Sequence, residues 1–336
     1  MNSRKEAVRE GYARVAGEDF GPRAGALARI ASAFGYADED LAALPAGANM
    51  GLSCGNPVAL ASLKQGETVV DLGSGGGLDV FLAARAVGPK GRVIGIDMTE
   101  EMVALARRNA TAGGYANVEF HRAAIEAMPL KGGSVDCIIS NCVLNLVDDK
   151  DAALAEIFRV LRPGGRLAIS DIALKRPLPP ALVDDMTAWV SCIAGALTIE
   201  ENLSKLAAAG FVDAEVMPTG ADLNVYKEAG EASCCGSKPP EAAADEPEPS
   251  CCEPKSAAKA KDGCCGPKLS EDAQGCCTPA PAPEGTQGCC TPAPDAKVAT
   301  SGFHEQLVQT VQALDLNEYA AAVRIFALKP IGGRAP

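Results

Sequence analysis

Fourteen cysteines in 336 residues are the feature of this sequence most able to do chemistry. Four stand alone (Cys54, Cys137, Cys142 and Cys192), and the other ten form adjacent pairs at 234/235, 251/252, 264/265, 276/277 and 289/290. In a reducing compartment thiols serve as metal ligands, redox centres or nucleophiles rather than as structural staples. Cys54, in "GLSCGNPVAL", lies just upstream of a second chemical feature, the run "VVDLGSGGGLDV" with glycines at 73, 75, 76 and 77. Glycine there lets a ligand approach the backbone, and the start of the following helix offers free N–H groups. A dinucleotide fingerprint asks for a small residue at position 78, where Leu78 stands. With two histidines, His121 and His304, a histidine-based mechanism has little support, and both read as surface or core residues.

The elements that must position these groups follow from periodicity. "TVVDL", "RVIGID", "VEFHRAA", "VDCIISN", "GRLAISDI" and "FVDAEV" are short β-branched runs, and helical patterns such as "TEEMVALARRNATAGG" and "KDAALAEIFRVL" alternate with them. Such alternation predicts βαβ units and a parallel sheet covered by helices on both faces. Thr99 is the expected N-cap of the helix after "RVIGID". "LRPGGRL" ends one helix at Pro-Gly-Gly and turns into the next strand. "LPPALVDDMTAWVSCIAGALTIEENLSKLAAAGF" reads as helices. Cys137, inside an apolar run, reads as a core residue.

Residues 227–300 change composition to Ala, Pro, Glu, Gly and Lys, with almost no large apolar side chains. A segment of this kind buries too little to offset its ordering entropy, and the expectation is a disordered insertion rich in cysteine pairs. Four parts follow: a helical cap over 1–50, an α/β domain over 51–226, the insertion over 227–300, and a helix and final strand over 301–336. The net charge of -12 argues against a nucleic-acid partner. No apolar run is long enough for a membrane helix, and no leader-like start is present, so the expected setting is cytoplasmic.

The pattern Asp71-x-Gly73-x-Gly75-x-Gly77 resembles the first motif of class I S-adenosylmethionine-dependent methyltransferases, which implies a Rossmann-like α/β sheet. On that resemblance Asp71, Gly73, Ser74, Gly75 and Gly77 surround the methionyl part of the cofactor, and Asp97 with Met98 meets the ribose. Ile125 and Glu126 clasp the adenine, and Asn141 lies beside the transferable methyl. The strings "MGLSCGNPVALASL", "SNCVLNLVDDK", "GGRLAISDI" and "WVSCIAGALT" resemble one subfamily, the arsenite methyltransferases.

That likeness implies arsenic detoxification by methyl transfer to trivalent arsenicals, with thiol reductants such as glutathione or thioredoxin as partners. The soft arsenic centre selects thiolates. Cys54, Cys192 and a thiol of the first tail pair, Cys234 or Cys235, are the implied arsenic ligands, with Cys235 as the third. Cys142 either packs beside the cofactor or shares in the chemistry. Larger relatives carry a cysteine upstream of the one matching Cys54, and here none precedes it. Tyr12, in "REGYARVA", is a candidate lid contact, and Trp189 either walls the acceptor pocket or is core. The cysteine pairs either capture arsenite, bind metal incidentally or serve only as a linker. The alternative activity is methyl transfer to a small organic acceptor, with the Cys-rich tail acting as a metal(loid) sink.

Overall fold

The computed structural model describes residues 4–183, 188–189, 192–230, 312 and 314–332, the side chains of residues 22, 181 and 228–230 excepted. The chain divides into two units, residues 1–232 with 300–336, and residues 233–299. The second unit, with all the paired cysteines and its predicted disorder, lies outside the described residues, as does His304.

The first unit is built on one sheet. Its strands are β1 (Thr68–Leu72), β2 (Arg92–Asp97), β3 (Val118–Arg122), β4 (Val135–Asn141), β5 (Leu161–Leu174), β6 (Leu197–Thr198), β7 (Val212–Pro218) and β8 (Ala320–Leu328). They lie in the order β3-β2-β1-β4-β5-β8-β7, with the short β6 paired to β5. The first five are parallel, and β8 runs antiparallel between β5 and β7. Parallel strands are covered on both faces, which is why β1 and β4 read as nearly continuous apolar runs. Cys137 is one of those core residues, and burial pushes its thiol up to about 12.

The helices are α1 (Arg4–Val15), α2 (Ala24–Ala33), α3 (Asp38–Ala42), α4 (Pro57–Ala61), α5 (Leu78–Val87), α6 (Glu100–Gly113), α7 (Lys150–Val160), α8 (Pro180–Val183), α9 (Ile199–Ala208) and α10 (Leu316–Tyr319). Thr99 does precede α6, although its side chain makes no cap bond, and α6 ends on Gly114 at φ 68°. A reciprocal capping box between Thr198 and Glu201 starts α9. The chain runs outward from β1 to β3, then crosses back to β4. That reversal opens a crevice beyond the carboxyl ends of β1 and β4, where ligands of such sheets bind.

Two departures from the sequence reading have local causes. "LRPGGRL" does not separate helix from strand: β5 already begins at Leu161, and its pairing with β4 jumps from Leu161 to Arg166. The intervening Pro-Gly-Gly bulges outward, with Gly164 at φ 75°. In the segment expected to be helical, the stretch around Cys192 is a turn, and residues 184–187, 190 and 191 lie outside the described set. None of the described helices is long and apolar enough to cross a membrane.

One buried ion pair ties the sheet together. Arg166 on β5 donates two bonds to Glu67, at 2.8 and 2.7 Å, and a further one to the carbonyl of Ser62 at 3.2 Å, just after α4. Replacing Glu67 with Gln leaves the guanidinium buried without its counter-charge and should cost about 3 kcal/mol in urea denaturation. The double change Glu67→Gln with Arg166→Met should recover part of that loss. A single-variant loss below about 1 kcal/mol would contradict this role.

Candidate active site

The crevice is a cleft of about 1070 Å³, counting the space at its mouth that is open to solvent. Its floor is the loop after β1, whose shape is set by Asp97 at the tip of β2. One Asp97 oxygen accepts from the Gly75 N–H at 3.1 Å and the other from the Thr99 N–H at 2.8 Å. Gly73 has φ 64°, and a Cβ there would lie 2.4 Å from Val143, so only glycine fits. Of the residues expected to hold a cofactor, Asp71, Gly73, Ser74, Gly75, Asp97, Met98, Ile125, Glu126 and Asn141 all line this cleft. Gly77 does not; at φ 97° it makes the turn that starts α5. From above, α1 contributes Lys5, Val8 and Tyr12, and Lys5 pairs with Glu126 at 3.0 Å.

The cleft is acidic. Asp71 and Asp79 are buried, and burial raises both carboxyls, Asp79 to about 6 against the pull of its bonds from Tyr36 and Asn141. For Asp71 the charges of Asp79 and Asp97 add to the burial effect. Ser74 Oγ is buried without a partner among the described residues. Three carboxylates around one cavity suit a cationic ligand and disfavour a pyrophosphate.

At the edge of this cleft the structure gathers three cysteines around Cys142. Cys54 and Cys142 are joined as a disulfide across a Cα–Cα distance of 5.7 Å, a span ordinary for that bond. Thus the residue without an upstream partner pairs downstream. Cys142 also lines the cleft. The Cys192 thiol donates to the Cys142 carbonyl at 2.7 Å, and burial raises it well above the usual thiol range. Cys142 and Cys192 have φ values of 54° and 66°, a left-handed backbone that costs energy for non-glycine residues and is concentrated at functional sites. An added Cβ at Gly195 would lie 2.0 Å from the Asn145 carbonyl oxygen, so glycine is what lets the Cys192 turn approach.

Asn141 links cleft and thiols. Its side-chain oxygen accepts from the Cys54 N–H at 2.9 Å, while its nitrogen lies 2.8 Å from both the Gly55 carbonyl and the Tyr36 hydroxyl, and 3.1 Å from Asp79. Tyr226 closes the far side, its hydroxyl 2.6 Å from the Ser53 carbonyl and 3.3 Å from the Cys54 sulfur. Tyr12 is partly buried and packs against the cluster that contains Cys192. Trp189 is 9% exposed in the same apolar cluster, with the Arg4 guanidinium 4.2 Å above its ring, and it does not line the cleft. His121 lies at the surface beside Glu119.

Asp79, Tyr36, Asp171 and Tyr226 escaped sequence reasoning. The available signal was a carboxylate inside an apolar helix, "LDVFLAA", and another inside an apolar strand, "AISDIAL". Neither residue can stay buried without a purpose or a partner. Cys234 and Cys235 lie outside the described residues.

The sheet order and the loop after β1 define a class I methyltransferase fold. A family model described as a methyltransferase domain matches residues 63–210. The arsenite methyltransferase of Halobacterium salinarum is 47% identical over 184 residues, covering 55% of this chain and 47% of the relative. The solved structure of an arsenic(III) S-adenosylmethionine methyltransferase from Chlamydomonas reinhardtii is 33% identical, covers 61% of this chain and 69% of that one, and has a TM-score of 0.44. The [4+2]-cyclase SpnF, 17% identical with a TM-score of 0.52 and covering 82% of this chain and 79% of that one, shares the fold alone. The chain belongs to the S-adenosylmethionine-dependent methyltransferases, in the family of the arsenite methyltransferases. It spans about half the length of the curated relatives it matches.

A digest without reductant should yield one cross-linked peptide pair containing Cys54 and Cys142, with Cys137 and Cys192 unlinked. Recovery of Cys54 bonded to any other cysteine would contradict the arrangement.

Proposed function

We propose that this chain transfers methyl groups from S-adenosylmethionine to trivalent arsenic held by Cys54, Cys142 and Cys192. The observation that carries this reading is the convergence of Cys54 and Cys192 on Cys142, which itself lines the cleft that Asp71, Asp79 and Asp97 make acidic. S-adenosylmethionine, when bound, supplies an electrophilic methyl on a sulfonium. The residues fit it: the carboxylates complement its positive groups, and the glycine loop gives the backbone close approach.

Cys142 takes the place that the sequence reading gave to Cys235. Three soft donors suit an ion that prefers sulfur to oxygen. Arsenite is neutral, and each thiol that binds passes its proton to a departing hydroxyl, which leaves as water. The exchange therefore places no new charge in a buried site, which matters for a thiol as desolvated as Cys192. Holding the acceptor atom rigidly in line with the methyl supplies catalysis by orientation, worth up to about 7–11 kcal/mol in the best intramolecular cases. No acid or base is needed for that displacement.

The Cys54–Cys142 disulfide must open before arsenic can bind. The reading therefore includes a thiol reductant, glutathione or a thioredoxin-type protein, and a reducing cytoplasmic setting, with arsenic detoxification as the outcome.

Two outcomes test it. Serine at position 54, 142 or 192 should abolish arsenite methylation, at least about a hundredfold, while S-adenosylmethionine binding by calorimetry persists. Full activity in any of the three would refute the site. The second test is pH. Asp79 is ionised above about 6, and its ionised form attracts the cofactor's cationic groups. Cofactor affinity should fall as pH drops below about 6, by up to about tenfold per unit, and Asp79→Asn should flatten the profile. Without cofactor the sign reverses. The raised folded pKa makes burial of the ionised form unfavourable, so this group's contribution to stability is lost as pH rises from about 4 to about 6.

A further inference from the structure

Asp171 is a buried group that the proposed chemistry does not use. It lies in β5 at 2% exposure, and one of its oxygens, with the sulfurs of Cys54 and Cys142, falls in a set whose members are all within 4.8 Å of one another. Its carboxylate accepts from Asn145 Nδ2 at 2.8 Å, the Ile172 N–H at 2.9 Å and, more weakly, the Asn145 N–H at 3.4 Å. Burial pushes it up to about 7. Lys150, the cation that acts on it, directs its ammonium to the carbonyls of Val147 at 2.9 Å and Asn145 at 3.4 Å. Among the described residues this carboxylate makes no ion pair, and the sulfurs of Cys54 and Cys142 stand close to it.

The two classes of ion that such a cluster could hold differ in what they ask of it. Trivalent arsenic keeps a lone pair and is satisfied by three sulfurs. A soft divalent cation with a filled d shell takes four donors in a tetrahedron, and sets that mix cysteine with a carboxylate are among those it accepts. Cys54, Cys142 and Asp171 offer three corners, and Cys192, whose thiol donates to the Cys142 carbonyl, is the candidate for the fourth.

We propose that the reduced thiol cluster and Asp171 together form a tetrahedral binding site for a divalent cation of the zinc class, which occupies the same thiols as arsenic and excludes it. The cation site stands on the donor set alone; its competition with arsenic rests on the function proposed above. Binding needs no oxidant or reductant beyond prior opening of the disulfide, and the displaced thiol protons pass to solvent. Asp171 is then a specificity-determining residue, because its oxygen serves the four-coordinate ion and gives nothing to a three-coordinate one.

The test uses the full chain, reduced, with the ten paired cysteines replaced by serine so that only Cys54, Cys137, Cys142 and Cys192 remain. Cadmium(II) is titrated and read by its sulfur-to-metal charge-transfer absorption, and zinc(II) by its displacement of cadmium. One equivalent should bind, and arsenite should displace it. Asp171→Asn should weaken zinc binding about tenfold or more relative to arsenite binding, the range seen when groups around a metal centre are removed. Asp171→Cys, which restores a fourth donor, should tighten cadmium binding and covers the case in which the asparagine variant does not fold. Zinc affinity indifferent to residue 171, or cadmium and arsenite bound at once, would overturn the proposal. A zinc site that behaves as expected in a protein that methylates no arsenic would instead sink the arsenic reading alone.

Discussion

The approach of Cys54 to Cys142 is the contact on which the rest of the site depends, and the side chain of Asn141 holds it. One residue before Cys142, Asn141 accepts the Cys54 N–H and lies within hydrogen-bonding distance of the Gly55 carbonyl, so the loop before α4 is fixed to the end of β4. The same amide reaches Tyr36 and Asp79 at the cleft. A change at the cofactor's carboxylates is thereby felt at the thiols through one side chain. Buried networks of this kind work only when every member has a partner, and Asn141 satisfies the loop and the helix at once.

Electrostatics divides the site into two halves with different needs. The cleft half concentrates buried carboxylates, raised by desolvation and by one another, and is stable only with positive charge brought to it. The thiol half is lined largely by apolar groups, among them Tyr12, Tyr226 and Trp189, and burial favours the protonated form of Cys192. A cationic methyl donor and a neutral acceptor are the pair of ligands these two environments favour. Left-handed backbone at Cys142, bonded to Cys54, and at Cys192, whose thiol donates to the Cys142 carbonyl, carries an energetic cost that the packing around them offsets.

Most of the sheet was legible because its strands are apolar runs flanked by helical patterns, and the crevice followed from the glycine loop and Asp97. Positions 73, 75 and 97 could be read because only backbone freedom and a strand-end carboxylate meet the need there. Gly77 could not be separated from them, since a glycine that makes a turn and one that admits a ligand look alike in sequence. For Cys142 the sequence left packing and chemistry both open, for a different reason. Cys142 follows an apolar strand much as a core cysteine would, and only the crossing of the chain between β3 and β4 sets it beside Cys54, 88 residues earlier. Asp171 and Tyr226 were invisible for the same cause: their partners lie on other elements, and no local spacing records the encounter.

The central claim is that arsenic is held by Cys54, Cys142 and Cys192 at the cleft. X-ray absorption at the arsenic edge, on the reduced chain with its paired cysteines replaced by serine and loaded with one equivalent of arsenite, tests it most directly. Three sulfur neighbours are expected, falling to two when Cys142 is also replaced. Arsenic bound only to oxygen, or three sulfurs that persist without Cys142, would contradict the account.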